Sequence, residues 1–176
     1  MKRINVIGTT GSGKSTFSKR LSEKLGAPYL QMDEIFWKPN WQEPSDEEFF
    51  ANLNKATDQP MWVLDGNFTR TNHIKWPKVD TVIWIDLPFF TSFSQLLKRT
   101  ILRSVSKKEL WPGTGNRESI KKSFFSTDSI LVWFLKTYWK NKKRYTKLEQ
   151  IGKEQNFEFI RLGSRKEIEQ FLREVK

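Results

Sequence analysis

Eight residues near the N-terminus constrain this chain more than any other stretch: Gly8-Thr9-Thr10-Gly11-Ser12-Gly13-Lys14-Ser15. Glycine stands first and sixth, lysine seventh and a hydroxyl residue eighth, a spacing found where backbone wraps a phosphate. The flanks agree with that reading. Arg3-Ile4-Asn5-Val6-Ile7 reads as a short buried strand leading into Gly8. After the loop, Phe17, Leu21 and Leu25 recur every fourth residue, and Gly26 stands where a helix C-cap belongs. Strand, glycine loop and helix together turn backbone N–H groups and a helix N-terminus toward one point, which favours an anion there.

The rest of the chain repeats the alternation. Pro28-Tyr29-Leu30-Gln31-Met32 reads as a second strand ending at Asp33, and Met61-Trp62-Val63-Leu64 as a third ending at Asp65-Gly66. Thr81-Val82-Ile83-Trp84-Ile85 is a fourth, ending at Asp86-Leu87-Pro88, and Phe157 to Leu162 is the last. Short apolar runs of this kind suit a parallel sheet covered on both faces. Ser45-Asp46-Glu47-Glu48 and Ser164-Arg165-Lys166-Glu167 are capping boxes that open helices, the first running to about Thr57. Helices are also expected over about Phe90–Ser106 and about Ser129–Gln150. The second of these places Ile130, Phe134, Tyr138, Tyr145 and Leu148 on one face. Between them, Lys107 to Asp128 reads as a mobile connection, because Trp111-Pro112-Gly113-Thr114-Gly115-Asn116 is rich in breakers. The expectation is one α/β domain over residues 1–176 with its site at the carboxyl edge of the sheet. An acceptor-side insertion falls at about 34–60 and a basic lid and helical region at about 98–150.

Residues Gly8 to Thr16 would hold a nucleoside triphosphate, with Lys14 on the β- and γ-phosphates and the Ser15 hydroxyl on Mg²⁺. Asp65 is placed to hold the same metal through water, or is a turn residue before glycine. Asp33 would anchor an acceptor or take the proton from its hydroxyl; as an N-cap or turn residue it would do neither. Asp86 is expected to cap or order a turn. Arg70 lies close to the same edge and would pair with an acceptor anion. Arg99 and Arg103 share a helical face, and with Arg117 they would close over the transferring phosphates; the bland alternative is three surface cations. Phe36, Trp37 and Trp41 would stack an aromatic acceptor or form a small core beneath their loop. His73, the one histidine, receives no role.

Composition narrows the classes. Hydrophobic residues make up 37% of the 176 and aromatics 14%, enough for a packed core. There is no cysteine, which excludes disulfides and thiolate metal sites and fits a reducing cytoplasm. The first strand begins almost at once, so no signal peptide is expected, and the longest apolar run, Ile130–Leu135, is too short to span a bilayer. The net charge of +11 is carried by the segment from Lys98 to Lys147, which has fourteen Lys and Arg against three acids. Such a segment suits anionic substrates, nucleic acid or a membrane surface, or is simply a solvated basic face. The guanine-reading Asn-Lys-x-Asp motif is absent, which argues against a GTPase switch.

With these positions in place, the chain resembles the nucleotide-kinase branch of P-loop proteins. More closely, it is similar to the bacterial topology modulation protein (FlaR-like), adenylate-kinase-related family. The resemblance is carried by Gly8–Thr16, Asp33-Glu34-Ile35-Phe36-Trp37-Lys38-Pro39 with Trp41, Trp62 to Phe68, Val82 to Pro88, and Arg161-Leu162 with Ser164. It implies a three-layer fold with a five-stranded parallel sheet in order 2-3-1-4-5, a helical lid, Mg-ATP on the glycine loop and an acceptor pocket beside Asp33 and Arg70. Asp65-Gly66-Asn67-Phe68-Thr69-Arg70 is similar to the acceptor-binding stretch of adenylate kinases, with one residue inserted and no proline. The expected function is γ-phosphoryl transfer from ATP to a small anionic or nucleoside acceptor. The alternative is a basic nucleic-acid-binding protein affecting DNA topology with a regulatory ATP site; peripheral membrane association is a further reading of the same charge.

Overall fold

The structure is a computed structural model that describes residues 1–106, 109–117, 129–152 and 157–175. Most of the connection expected at 107–128 therefore lies outside the described residues, with Lys107, Lys108, Lys121 and Lys122 in it.

Five strands form one sheet: β1 (Arg3–Gly8), β2 (Tyr29–Gln31), β3 (Trp62–Asp65), β4 (Thr81–Ile85) and β5 (Glu158–Leu162). Every pairing is parallel and the order is β2-β3-β1-β4-β5, as expected. Strand side chains alternate between two cores. Ile4, Val6, Val63, Ile83 and Ile85 face one side, where they meet Phe17 and Leu21 of α1 (Lys14–Leu25). Ile7, Trp62, Leu64, Val82 and Trp84 face the other, with Phe36, Phe49 and Leu53. This period of two, on strands buried on both faces, is what commits the segments to the middle of a three-layer domain.

Among the described residues, α1 is followed by the helices α2 (Met32–Phe36), α3 (Asp46–Ala56), α4 (Asn72–Lys75), α5 (Phe89–Ser106), α6 (Ile130–Gly152) and α7 (Arg165–Glu174). Both serines cap their helices: the Ser45 hydroxyl accepts from Glu48 N, and the Ser164 hydroxyl from Glu167 N. At the second, the Glu167 carboxylate also reaches back to Gly163 N and the Ser164 hydroxyl, whereas Glu48 pairs with Lys38 instead. Leu96 of α5 packs on Phe134 and Tyr138 of α6 in a third apolar cluster.

Two expectations are corrected. The second strand stops at Gln31, and Met32 and Asp33 open α2 instead of ending the strand. Asp33 and Glu34 favour a helix N-terminus, and Asp33 O accepts from Trp37 N at 2.9 Å. Gly66 packs against this first turn: at φ 152° its α-carbon lies so close to Met32 that a Cβ would come within 2.6 Å of that side chain. Asp86 does not order a turn by capping. It is buried between Arg161 Nη2 at 2.5 Å and Lys142 Nζ at 3.3 Å, tying β4 to β5 and α6. Among the described residues no helix is long and apolar enough to cross a membrane.

Candidate active site

The glycine loop joins β1 to α1, and two asparagines tie its start and the strand before it to β3. The Asn67 side chain accepts from Gly8 N at 3.1 Å and donates to Gly8 O at 2.5 Å. Asn5 Nδ2 donates to Leu64 O and Gly66 O, both at 3.1 Å. The loop is thereby fixed to the end of β3 on the neighbouring strand. Gly11 has φ 79°, and a Cβ there would collide with the Ser92 carbonyl oxygen of α5, so the loop also packs directly on that helix. Helix α1 opens at Lys14 with no acidic residue in its first turn. Its first N–H groups and its dipole are left for an external anion. Thr9 is buried, Thr10 and Ser15 are half-buried, and Thr16 is exposed. The Ser12 hydroxyl is buried without a hydrogen-bond partner.

Beside the loop, the carboxyl ends of β2 and β3 bring two acids together. Asp65 is 3% exposed. Its Oδ2 accepts from the Tyr29 hydroxyl at 2.9 Å, whereas its Oδ1 is buried with no partner. Burial, then the Asp65 charge, pushes that phenol far above its ordinary range and keeps it a donor. Ser15 pulls it partly back, which places Ser15 beside Tyr29 and so near Asp65, the other residue expected to hold metal.

The Asp33 carboxyl is raised above the usual aspartate value, chiefly by burial. Lys14 pulls it back, Asp65 raises it further, and Arg99 and Arg103 offset that. These charges, drawn from α1, α2, β3 and α5, therefore share one neighbourhood. Among the described residues no cluster of three or more His, Cys, Asp or Glu could cage a metal. The donors present, a serine hydroxyl and a carboxylate oxygen lacking a partner, fit Mg²⁺, which keeps water and substrate phosphate in its shell.

The other expected residues stand further apart. Phe36 is 4% exposed and packs edge-on against Trp37 and Phe49. It builds the core under the loop and offers no face to an acceptor; Trp37 is half-buried and Trp41 exposed. Arg70 pairs with Asp46 at 3.0 Å and lies 4.8 Å over the Phe36 ring. Arg117 is exposed, at the end of the 109–117 hairpin, and its charge falls on Glu109. His73 contacts the Phe50 ring. Lys136, Lys140, Lys143 and Lys147 are exposed on α6.

Four residues that support the site, Asn5, Asn67, Tyr29 and Gln95, receive no role from the sequence. The Gln95 amide, oriented to donate to Gly11 O and accept from Arg165 Nη2, both at 3.1 Å, links the glycine loop to α7. Next to it a cavity of about 530 Å³ is lined by Leu87, Pro88, Thr91 and Ser94 on one side and Gly163 to Arg165 on the other. No local pattern marks such residues, because each acts through a partner distant in sequence. For Asn67, two positions past Asp65, nearness to a strand end is the one available signal.

No protein-family model matches the chain. It is 30% identical over 139 residues to the shikimate kinase of Persephonella marina, an alignment covering 70% of this chain and 80% of that one. Among solved structures, the shikimate kinase of Aquifex aeolicus superposes with a TM-score of 0.55 at 17% identity, over 98% of this chain and 92% of that one. The Bacteroides thetaiotaomicron shikimate kinase gives the same TM-score at 14% identity, over 98% and 94%. These likenesses carry the kinase part of the resemblance seen in the sequence and not its topology-modulation part. On the strength of that relative, and with a glycine loop and a 2-3-1-4-5 sheet of the same kind, the chain belongs to the shikimate kinase family of P-loop kinases.

Proposed function

We propose that this protein transfers the γ-phosphoryl group of ATP to a hydroxyl group of a small acceptor. The observation that supports this most is Asp33, a carboxyl raised by burial and set beside Lys14, Arg99 and Arg103. A hydroxyl acceptor needs a base, and a raised carboxylate is a stronger proton acceptor than an ordinary one. A phosphate acceptor would instead need a cation, and Arg70, the residue expected for that, is already paired with Asp46.

In this reading the N–H groups of α1 and Lys14 hold the β- and γ-phosphates. Mg²⁺ held by Ser15 and Asp65 would neutralise and orient the phosphate oxygens. Tyr29 orients Asp65 through its hydroxyl. Asp33 accepts the proton as the acceptor oxygen bonds to the γ-phosphorus and the bond to the β,γ-bridging oxygen breaks, releasing ADP. Arg99 and Arg103 stabilise charge on the transferring group, and Arg117 is a third cation carried by the lid. The cavity between Pro88 and Ser164 would take the nucleoside, since Gln95 connects its walls to the loop. DNA binding forms no part of the proposal, because a net charge of +11 accounts by itself for weak, salt-dependent association.

A screen tests it: ADP release with ATP and Mg²⁺ for shikimate, small sugars, nucleosides and nucleoside monophosphates, each against a blank without acceptor. Shikimate, a carboxylate with ring hydroxyls, comes first because of the relative's name. The expected result is release stimulated by at least one hydroxyl acceptor. Release that no acceptor raises above the blank contradicts the proposal.

A further inference from the structure

Residues 109–117 form a small hairpin that is docked on the turn following α2. The hairpin is closed by its own bonds: Leu110 N donates to Asn116 O at 2.9 Å, Thr114 Oγ1 to Trp111 O at 2.7 Å, and Gly115 N to the Glu109 carboxylate. The turn is Lys38–Gln42, closed by Lys38 N to Gln42 O at 3.0 Å. Between them stands Asn116, which is 0% exposed although it sits in a breaker-rich loop. Its Oδ1 accepts from Trp41 N at 2.8 Å and its Nδ2 donates to Lys38 O at 3.0 Å. Asn40 N adds a bond to Thr114 O at 3.1 Å, and the Trp41 and Trp111 rings meet edge-on at 5.9 Å.

The turn itself is not one these residues adopt on their own. Asn40 and Trp41 have φ values of 58° and 60°, the left-handed region, which is uncommon for a bulky residue such as tryptophan. Such a conformation persists where the surroundings over-determine it. Here the surroundings are chiefly Asn116, whose carboxamide satisfies two of the three backbone groups that the turn presents to the hairpin, the third, Asn40 N, going to Thr114 O.

We propose that Asn116 is a positioning residue: its carboxamide locks the hairpin bearing Arg117 onto the turn that follows the Asp33 helix. Resting on the proposed function, this makes the acceptor side and the lid arginine a single body, so that an acceptor seated at Asp33 sets where Arg117 stands. Trp37 is the C-cap of the same helix and is followed directly by the locked turn, so the path from Asp33 to Arg117 runs through contiguous contacts.

Two readouts test it. In hydrogen exchange on the full chain without ligand, Asn116→Ala should speed exchange at Asn40 and Trp41 on the order of tenfold or more, with the amides of Gly8–Ser15 unchanged. Asn116→Asp, which keeps the oxygen for Trp41 N and loses the donor to Lys38 O, should fall between. Wild-type exchange at Asn40 and Trp41 in Asn116→Ala overturns the lock. In kinetics with whichever acceptor the screen identifies, Asn116→Ala should lower kcat on the order of tenfold while KM for ATP stays unchanged. Combined with Arg117→Ala the loss should be less than the product of the single losses, since one residue acts through the other. Independent, multiplicative losses overturn the positioning role. If no acceptor supports transfer, the function falls, while the exchange result still decides the lock.

Discussion

Asp33 must be ionised to accept a proton, and burial makes its ionisation harder. A base of this kind loses activity as pH falls through its pKa, and a raised pKa starts that loss at a higher pH than an ordinary aspartate would. We expect kcat/KM to show an acidic limb above the usual aspartate range, and Asp33→Asn to cut turnover by roughly 10²–10⁴-fold and remove the limb. Lys75 is another titratable residue out of place. It is 1% exposed, its Nζ donates to Phe68 O at 3.3 Å, and burial pulls its pKa from 10.5 down to about 7, helped by Arg144. Between about pH 7 and 10.5 the unfolded chain holds a proton that the folded chain lacks, so stability rises with pH across that window. Below it both states are protonated and stability sits at its lower level. Lys75→Met should stabilise the fold at neutral pH and below by about 3 kcal/mol and flatten the rise, as read from urea melts at several pH values. Neither property is legible in the sequence. Asp33 stands out there as a chemical group near a strand end, but its burial depends on other elements, and Lys75 looks like any surface cation.

Elements are legible where local pattern and tertiary demand agree. Strands β3 and β4 are mostly apolar because both faces are covered, β1 is apolar but for Arg3 and Asn5, and α3 and α7 announce themselves by N-cap serines that do cap. The short edge strand β2 reads too long in the sequence because Met32 is apolar and buried like a strand residue; Asp33 and Glu34 in the first turn favour the helix that begins there. Asp86 reads as a turn residue because its partners Lys142 and Arg161 lie far along the chain. That carboxylate ties α6 to the sheet, and the Tyr138 hydroxyl adds a bond to Leu87 O at 3.2 Å. Asp86→Asn keeps the volume and removes the charge. Because Arg161 and Lys142 are partly exposed and can rehydrate, the expected loss is about 1–2 kcal/mol, measured as a lower urea midpoint with an unchanged slope.

Across the whole molecule the basic excess divides into separate duties. Arg99 and Arg103 act on Asp33, Lys142 binds Asp86, Arg144 lies 5.0 Å over the Tyr145 ring, and the exposed lysines of α6 meet solvent. A charge count along the sequence shows the excess but not this division, which is set by which side of each helix meets the sheet. The glycine loop needs no such context, because its ligand groups are its own backbone. The proposed function rests on that loop carrying transfer chemistry, and one measurement addresses it directly: γ-phosphoryl transfer to the acceptor identified by the screen, in wild type and in Lys14→Ala, with circular dichroism recorded on both. The Lys14→Ala variant should keep its fold and lose transfer by at least about two orders of magnitude. A folded variant that transfers phosphate at the wild-type rate would contradict it.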